Sequence, residues 1–206
     1  MAKLSEAGFR DIYHRICCLS MNDCLRNCAT HLQMDGALQA TGVLAYGYID
    51  TEAGITFEIL CCVTMEDYGV DLFDSAQTSI KVRRSSLLDC EFAAMDDSVR
   101  QRFEGRLQII DDTYTVPFGV YETRGVRELD GCRHEDFPDD VLVYLYAEGK
   151  RLEGCWVRCM GLSGRRIIGK LLNQPDQDFG IRRGDQLTFD CIRTDDRIIC
   201  VWMQRQ

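Results

Sequence analysis

Gln186-Leu187-Thr188-Phe189-Asp190-Cys191-Ile192-Arg193, then Thr194-Asp195-Asp196, then Arg197-Ile198-Ile199-Cys200-Val201-Trp202-Met203, is a pair of alternating, β-branched runs on either side of an acidic turn. A turn centred on Asp195-Asp196 sets Thr194 opposite Arg197, Ile192 opposite Ile199 and Cys191 opposite Cys200. The register is the same for a two-residue or a four-residue loop. Phe189 then faces Trp202, and Phe189, Cys191, Cys200 and Trp202 make one apolar face that closes a core. Directly opposed residues of an antiparallel pair have Cα atoms about 4.5–5.5 Å apart, within the span of a disulfide. Cys191 and Cys200 are therefore expected as buried thiols that pair only under strong oxidation.

Further back, Val141 to Tyr146, Cys155 to Met160 and Ile167 to Leu172 are three more strand-like runs. Residues 131–206 are expected to form an all-β subdomain, a small barrel or a sandwich. Ser163-Gly164 reads as a hairpin turn, which puts Trp156 opposite Leu171 and Met160 opposite Ile167 and sends Trp156 into the core. Asn173-Gln174-Pro175 ends one strand and Gly184-Asp185 turns into the next.

The order Glu153-Gly154-Cys155-Trp156, Gly169-Lys170-Leu171-Leu172-Asn173-Gln174-Pro175, Gly184-Asp185 and a terminal Trp202-Met203 resembles a bacterial domain-of-unknown-function family of the 2314 type. The resemblance covers residues 134–206. Val201 stands where that family tends to place an Asp. No catalytic residue is established for the family, so none is implied here. Relatives of such domains look like components of toxin-immunity and effector loci, which implies a binding protein.

Residues 1–130 read as an α+β region. Phe9, Ile12, Tyr13 and Ile16 recur at helical spacing, so residues 5–33 are expected to be helical, as one bent helix or as a hairpin reversing near Ser20 to Asp23. Val43 to Tyr46 and Ile55 to Leu60 flank a turn and predict a β-hairpin, and Thr78 to Arg84 predicts an edge strand. Asp96 to Arg106 predicts a short polar helix. Leu107 to Ile110 is expected to pair as a strand with Thr115 to Tyr121, placed at an edge by Pro117. The charged, turn-rich stretch 124–140 is the expected boundary. The whole is α+β, mostly antiparallel β, with an N-terminal helical segment.

Twelve cysteines in a chain without a single Cys-x-x-Cys argue against zinc ribbons and thioredoxin-like sites. His14, Cys17, Cys24, Cys28 and His31 fall on one face if the segment is helical. One straight helix offers a tetrahedral ion only two neighbouring ligands, so these side chains read as core filling beside Leu25 and Leu32. No metal and no cofactor are expected. Cys132-Arg133-His134-Glu135-Asp136-Phe137-Pro138-Asp139-Asp140 gathers a histidine and four carboxylates. It is the best place for hard-metal or general-base chemistry, hence for a metal-dependent hydrolase. There is no Gly-x-Ser-x-Gly elbow, no Walker loop and no Gly-x-Gly-x-x-Gly fingerprint.

Lys and Arg number 24 against 33 Asp and Glu, a net charge of −9, which argues against nucleic acid and anionic membrane as partners. The first residues lack the apolar core of a signal peptide and no apolar run approaches the ~18 residues that cross a bilayer, so a cytoplasmic protein is expected. The leading expectation is a non-enzymatic interaction protein, of immunity type, for a partner with a basic surface. Its candidate binding residues are His134, Glu135, Asp136, Asp139, Asp140, Trp156 and Asn173. The alternative is the hydrolase built on the His134 segment.

Overall fold

A computed structural model describes residues 2–66, 69–96 and 98–204. The chain forms two compact units, Met1–Thr115 and Val116–Gln206, so the division falls ahead of the charged stretch that suggested it.

The first unit runs β1 (Ala2–Lys3), α1 (Phe9–Ile12), β2 (Arg15–Ser20), α2 (Asp23–His31), β3 (Gly42–Asp50), β4 (Gly54–Glu66), β5 (Gly69–Ser75), β6 (Lys81–Arg83), β7 (Glu91–Ala94) and α3 (Glu104–Thr113). Its antiparallel sheet has the order β1-β7-β2-β3-β4-β5, with β6 pairing the free stretch of β4. The sheet is covered on both faces. Cys17, Leu19, Val43, Phe57 and Cys62 meet Leu25 and Ala29 of α2 on one side. Ile16, Cys18, Leu44, Tyr46 and Leu60 meet Phe103, Leu107 and Ile110 on the other. Burial on both faces is why β2, β3 and β4 read as nearly continuous apolar runs.

Two expectations for this unit are corrected. Residues 5–33 are not one helical element, because His14 takes φ +56 and stops α1, and Arg15–Ser20 enters the sheet between β7 and β3. Cys17 and Cys18 therefore point to opposite faces, and His14, Cys17, Cys24, Cys28 and His31 share no helix face. Cys24 and Cys28 do sit on a helix, half-buried against the first core, and the Asn22 side chain caps that helix by accepting the Leu25 N–H at 3.0 Å. Leu107 to Ile110 is helical in α3. Leu107 and Ile110 are its buried positions, and Phe103, just ahead of the helix, continues the same stripe at spacings of four and three.

The second unit runs α4 (Phe118–Gly125), a 3-10 turn at Arg127–Cys132, β8 (Asp140–Tyr146), β9 (Glu153–Ser163), β10 (Arg166–Leu171), β11 (Gln186–Arg193) and β12 (Ile198–Met203). Thr115 to Tyr121 is not a strand. Pro117 precedes the first turn of α4, where its missing N–H costs nothing. The five strands form a closed barrel. Successive strands run antiparallel, so the first and fifth run the same way and the closing β8–β12 pair is parallel. Val143, Leu145, Val157, Cys159 and Phe189 point inward and are fully buried. At Gly169 a β-carbon would lie 2.4 Å from Val157 Cγ1, so the barrel interior has no room for another methyl group.

The final hairpin has the expected register, with Cys191 opposite Cys200 and Ile192 opposite Ile199. Phe189 and Cys200 are buried, and Cys191 and Trp202 are half-buried against the same core. The β9–β10 hairpin does not have its expected register. Gly164 takes φ +62 and the turn is Gly164-Arg165, one residue later than expected, with a bulge at Ile168/Gly169. The later turn alone shifts the pairing by two residues and keeps the faces, but the bulge inserts one extra residue of β9, so Leu171 faces Val157 and the faces of β9 are exchanged beyond it. Trp156 is therefore not in the barrel core: it lies on the outer face beside Leu142, and Met160 is exposed. Among the described residues no helix is long and apolar enough to cross a membrane.

Candidate functional site

The acidic segment folds into a tight loop whose polar groups are largely turned on the protein itself. Asp139 makes a two-point ion pair with Arg124 at 2.8 and 2.7 Å, both side chains nearly fully buried. Asp140 does the same with Arg158 at 2.7 and 2.9 Å, and this bond raises the Arg158 pKa above its ordinary value. The His134 Nδ1 accepts the backbone N–H groups of Asp136 and Phe137, and its ring lies edge-on to Trp156 at 5.1 Å. Glu135 is exposed and Asp136 half-buried. A metal needs several free oxygens converging on one point, and here the two buried carboxylates are committed to guanidinium groups. Among the described residues no group of three or more His, Cys, Asp or Glu is placed to hold a metal ion.

Asn173 belongs to the turn architecture. Its Oδ1 accepts the Trp156 N–H at 2.7 Å and its amide donates to Cys155 Sγ at 3.3 Å. Glu153 accepts the N–H groups of Asp176 and Gln177, and Asp185 accepts that of Arg182. Each of these residues closes a loop between strands.

What remains open is a groove on the outside of the barrel. It is lined by Trp156 of β9 and by Leu142 and Tyr144 of β8. Ile199, Arg197, Cys132 and Arg133 complete the rim, enclosing about 140 Å³. The strand alternation that buries Val141, Val143, Cys155 and Val157 turns Leu142, Tyr144 and Trp156 outward together. Gly154 opposes Tyr144, and a side chain there would lie 3.2 Å from Leu142 Cδ1. The volume falls below the ~300 Å³ at which small-molecule pockets begin and suits one protruding side chain. The groove combines an aromatic wall with the exposed Arg197 guanidinium, a composition typical of interface anchors. Of the expected site residues Trp156 lines the groove, with the His134 ring packed edge-on against it from outside the lining, and Asp139, Asp140 and Asn173 are left to structural work. Tyr144, Arg197 and Cys132 were missed, because they come from three segments that only barrel closure brings together.

The first unit holds a second polar cluster that sequence spacing does not show. The Tyr46 hydroxyl donates to Asp111 of α3 at 2.7 Å. Around the same carboxylate stand His14 Nε2 and an Arg100 nitrogen, each at 3.7 Å, with the Arg100 guanidinium over the Tyr46 ring. Burial, and then the bond to Asp111, push the Tyr46 phenol well above its ordinary range, so it stays protonated and donates. This cluster fastens α3 to β3. A polar cleft of about 300 Å³, lined by Tyr13, His14, Arg15, Asp96 and Arg100, lies beside it. Neither site contains a nucleophile set against a base in the manner of acyl-transfer enzymes.

Comparison with protein-family models, with curated proteins and with solved structures returns no match to this chain.

Proposed function

We propose that this chain is a non-enzymatic interaction protein that holds a partner protein through the outer groove of its barrel. The observation that carries this reading is Trp156. It is large, aromatic and half-buried on the barrel's outside, walled by Tyr144 and Leu142 and edged by Arg197. Such a residue is costly to leave facing water and is the kind that dominates binding energy at interfaces. The alternative of a metal-dependent hydrolase at the His134 segment lacks its ligands, since Asp139 and Asp140 are committed to Arg124 and Arg158.

The charge is unevenly divided. The first unit has 10 Lys and Arg against 18 Asp and Glu, and the second has 14 against 15. An acidic unit attracts a partner with a basic surface over several ångströms and speeds the encounter, while the near-neutral barrel supplies the anchor. A bacterial origin and an immunity-type role are the readings that the resemblance of residues 134–206 supports. The test is a quantitative pull-down from host extract with the wild-type chain, Trp156→Ala and Arg197→Glu. The proposal expects one specific protein to be retained by the wild type and lost at least tenfold with each variant. Equal recovery by all three, or no specific protein with the wild type, contradicts it.

A further inference from the structure

Three thiols meet where the 3-10 turn at Arg127–Cys132 packs against β12. Cys132 Sγ lies 3.5 Å from the Ile198 carbonyl oxygen. Cys191 and Cys200 are directly opposed in the β11–β12 hairpin. The Thr194 N–H bonds the Arg197 carbonyl, so alternation along the ladder makes Cys191 and Cys200 a non-hydrogen-bonded pair, the kind whose side chains approach most closely. Cys132 and Cys200 belong to one buried cluster, and Cys191 packs against it. Of the three, Cys132 lines the outer groove, with the exposed Arg197 beside it and Arg133 held in place by the carbonyls of Thr123 and Pro138.

The surroundings separate Cys132 from most of the other thiols. The bond from Cys200 lowers it most, the two arginines lower it further against its burial, and its pKa falls to about 7. Burial pushes Cys17, Cys18, Cys61, Cys90 and Cys159 up to about 11 or 12, where thiolate is scarce at neutral pH. Cys132 is 9% exposed, so a small oxidant reaches it through the groove, whereas Cys200 is fully buried and meets only the neighbouring thiols.

We propose that Cys132 is a hydrogen-peroxide-reactive thiol and that Cys200 is its resolving partner, giving a Cys132–Cys200 disulfide. The Cys132 thiolate attacks one peroxide oxygen. The O–O bond breaks, hydroxide leaves and takes up a proton as water, and Cys132 becomes the sulfenic acid. The Cys200 sulfur, losing its proton, then attacks the Cys132 sulfur. The S–O bond breaks and the hydroxyl departs as a second water with that proton. Two thiols lose two electrons and one peroxide becomes two waters. The groove need not hold a partner for this chemistry to occur.

The test treats the full chain with one equivalent of hydrogen peroxide, caps free thiols with N-ethylmaleimide, and maps the unreduced peptides by mass spectrometry. The expected product is the Cys132–Cys200 peptide pair. Cys200→Ser should instead accumulate a Cys132 sulfenic acid that dimedone traps, Cys132→Ser should react with peroxide at least tenfold more slowly, and Cys191→Ser should leave the crosslink intact. Tryptophan fluorescence and circular dichroism like the wild type's establish that each variant is folded, and alanine at the same position replaces any serine variant that is not. A disulfide that forms equally in Cys132→Ser, or a Cys132 oxidised to the sulfinic acid with no link to Cys200, overturns the proposal.

Discussion

Asp139→Asn takes one negative charge from a buried pair and leaves the Arg124 guanidinium without the Asp139 carboxylate. The Arg124 and Asp139 side chains are 3% and 7% exposed and are joined by two short hydrogen bonds. Opposite charges about 4 Å apart attract by about 4 kcal/mol at an effective dielectric of roughly 20. Breaking such a pair from one side costs roughly 3–5 kcal/mol, because the surviving charge keeps its desolvation penalty. A unit of about 90 residues is stable by roughly 5–14 kcal/mol, so the variant should lose a large share of its stability. Trp156 and Trp202 are the chain's only tryptophans and both lie in the second unit, so their fluorescence during urea unfolding reports that unit alone. With a slope of roughly 1 kcal/mol per molar urea, the midpoint should fall by about 3–5 M. Arg124→Met combined with Asp139→Leu should recover part of the loss by removing both charges. A single-variant loss below about 1 kcal/mol, or a pair variant worse than Asp139→Asn, would refute the assignment of Asp139 as a structural residue.

Trp156→Ala should cost only about 1–2 kcal/mol in the same assay, roughly half the 3–5 kcal/mol of a fully buried aromatic, and a loss above 3 kcal/mol would return the side chain to the core. Gly169→Ala should destabilise the barrel by about 1–3 kcal/mol, seen as a lowered Tm, since its new methyl group would strike Val157 and the Arg158 carbonyl; an unchanged Tm would contradict the packing. Alkylation of Cys132 by iodoacetamide should be half-maximal near pH 7, two units below the ordinary thiol value of 9.0, and should fall about tenfold per unit at lower pH as the thiolate is protonated. A midpoint above pH 8.5, read by peptide mass spectrometry, would contradict the electrostatics around that thiol.

The barrel was legible where turns leave no choice. Asp195-Asp196 offers one centre for the last hairpin, and the register of Cys191 and Cys200 follows from it. Ser163-Gly164 and Gly164-Arg165 are both acceptable turns and both would leave Leu171 on the Trp156 face, so the bulge at Ile168/Gly169, which no turn residue announces, decides which face of β9 is buried. The deciding signal was present in the strand itself. Arg158 and Trp156 share a face, while Cys155, Val157, Cys159 and Gly161 fill the other, and only the second suits a barrel interior. In the first unit, Arg15–Ser20 was obscured because a strand buried on both faces loses its alternation, and its apolar residues merge with the periodicity of α1. The acidic segment looked like a metal site because its partners, Arg124 and Arg158, arrive from α4 and β9, which no local spacing reveals. For the same reason Cys132, Tyr144 and Arg197 joined the groove only through tertiary structure.

The central claim is that the outer groove of the barrel is where a partner docks. The most direct measurement places a photo-crosslinking phenylalanine at Tyr144 in the groove or, as a control, at Tyr121, exposed on α4. Both proteins are irradiated in host cells with Trp156 intact and with Trp156→Ala. The account predicts a discrete adduct from position 144 that Trp156→Ala abolishes, and none from position 121. No adduct from position 144, or the same adducts from both positions regardless of Trp156, would contradict it.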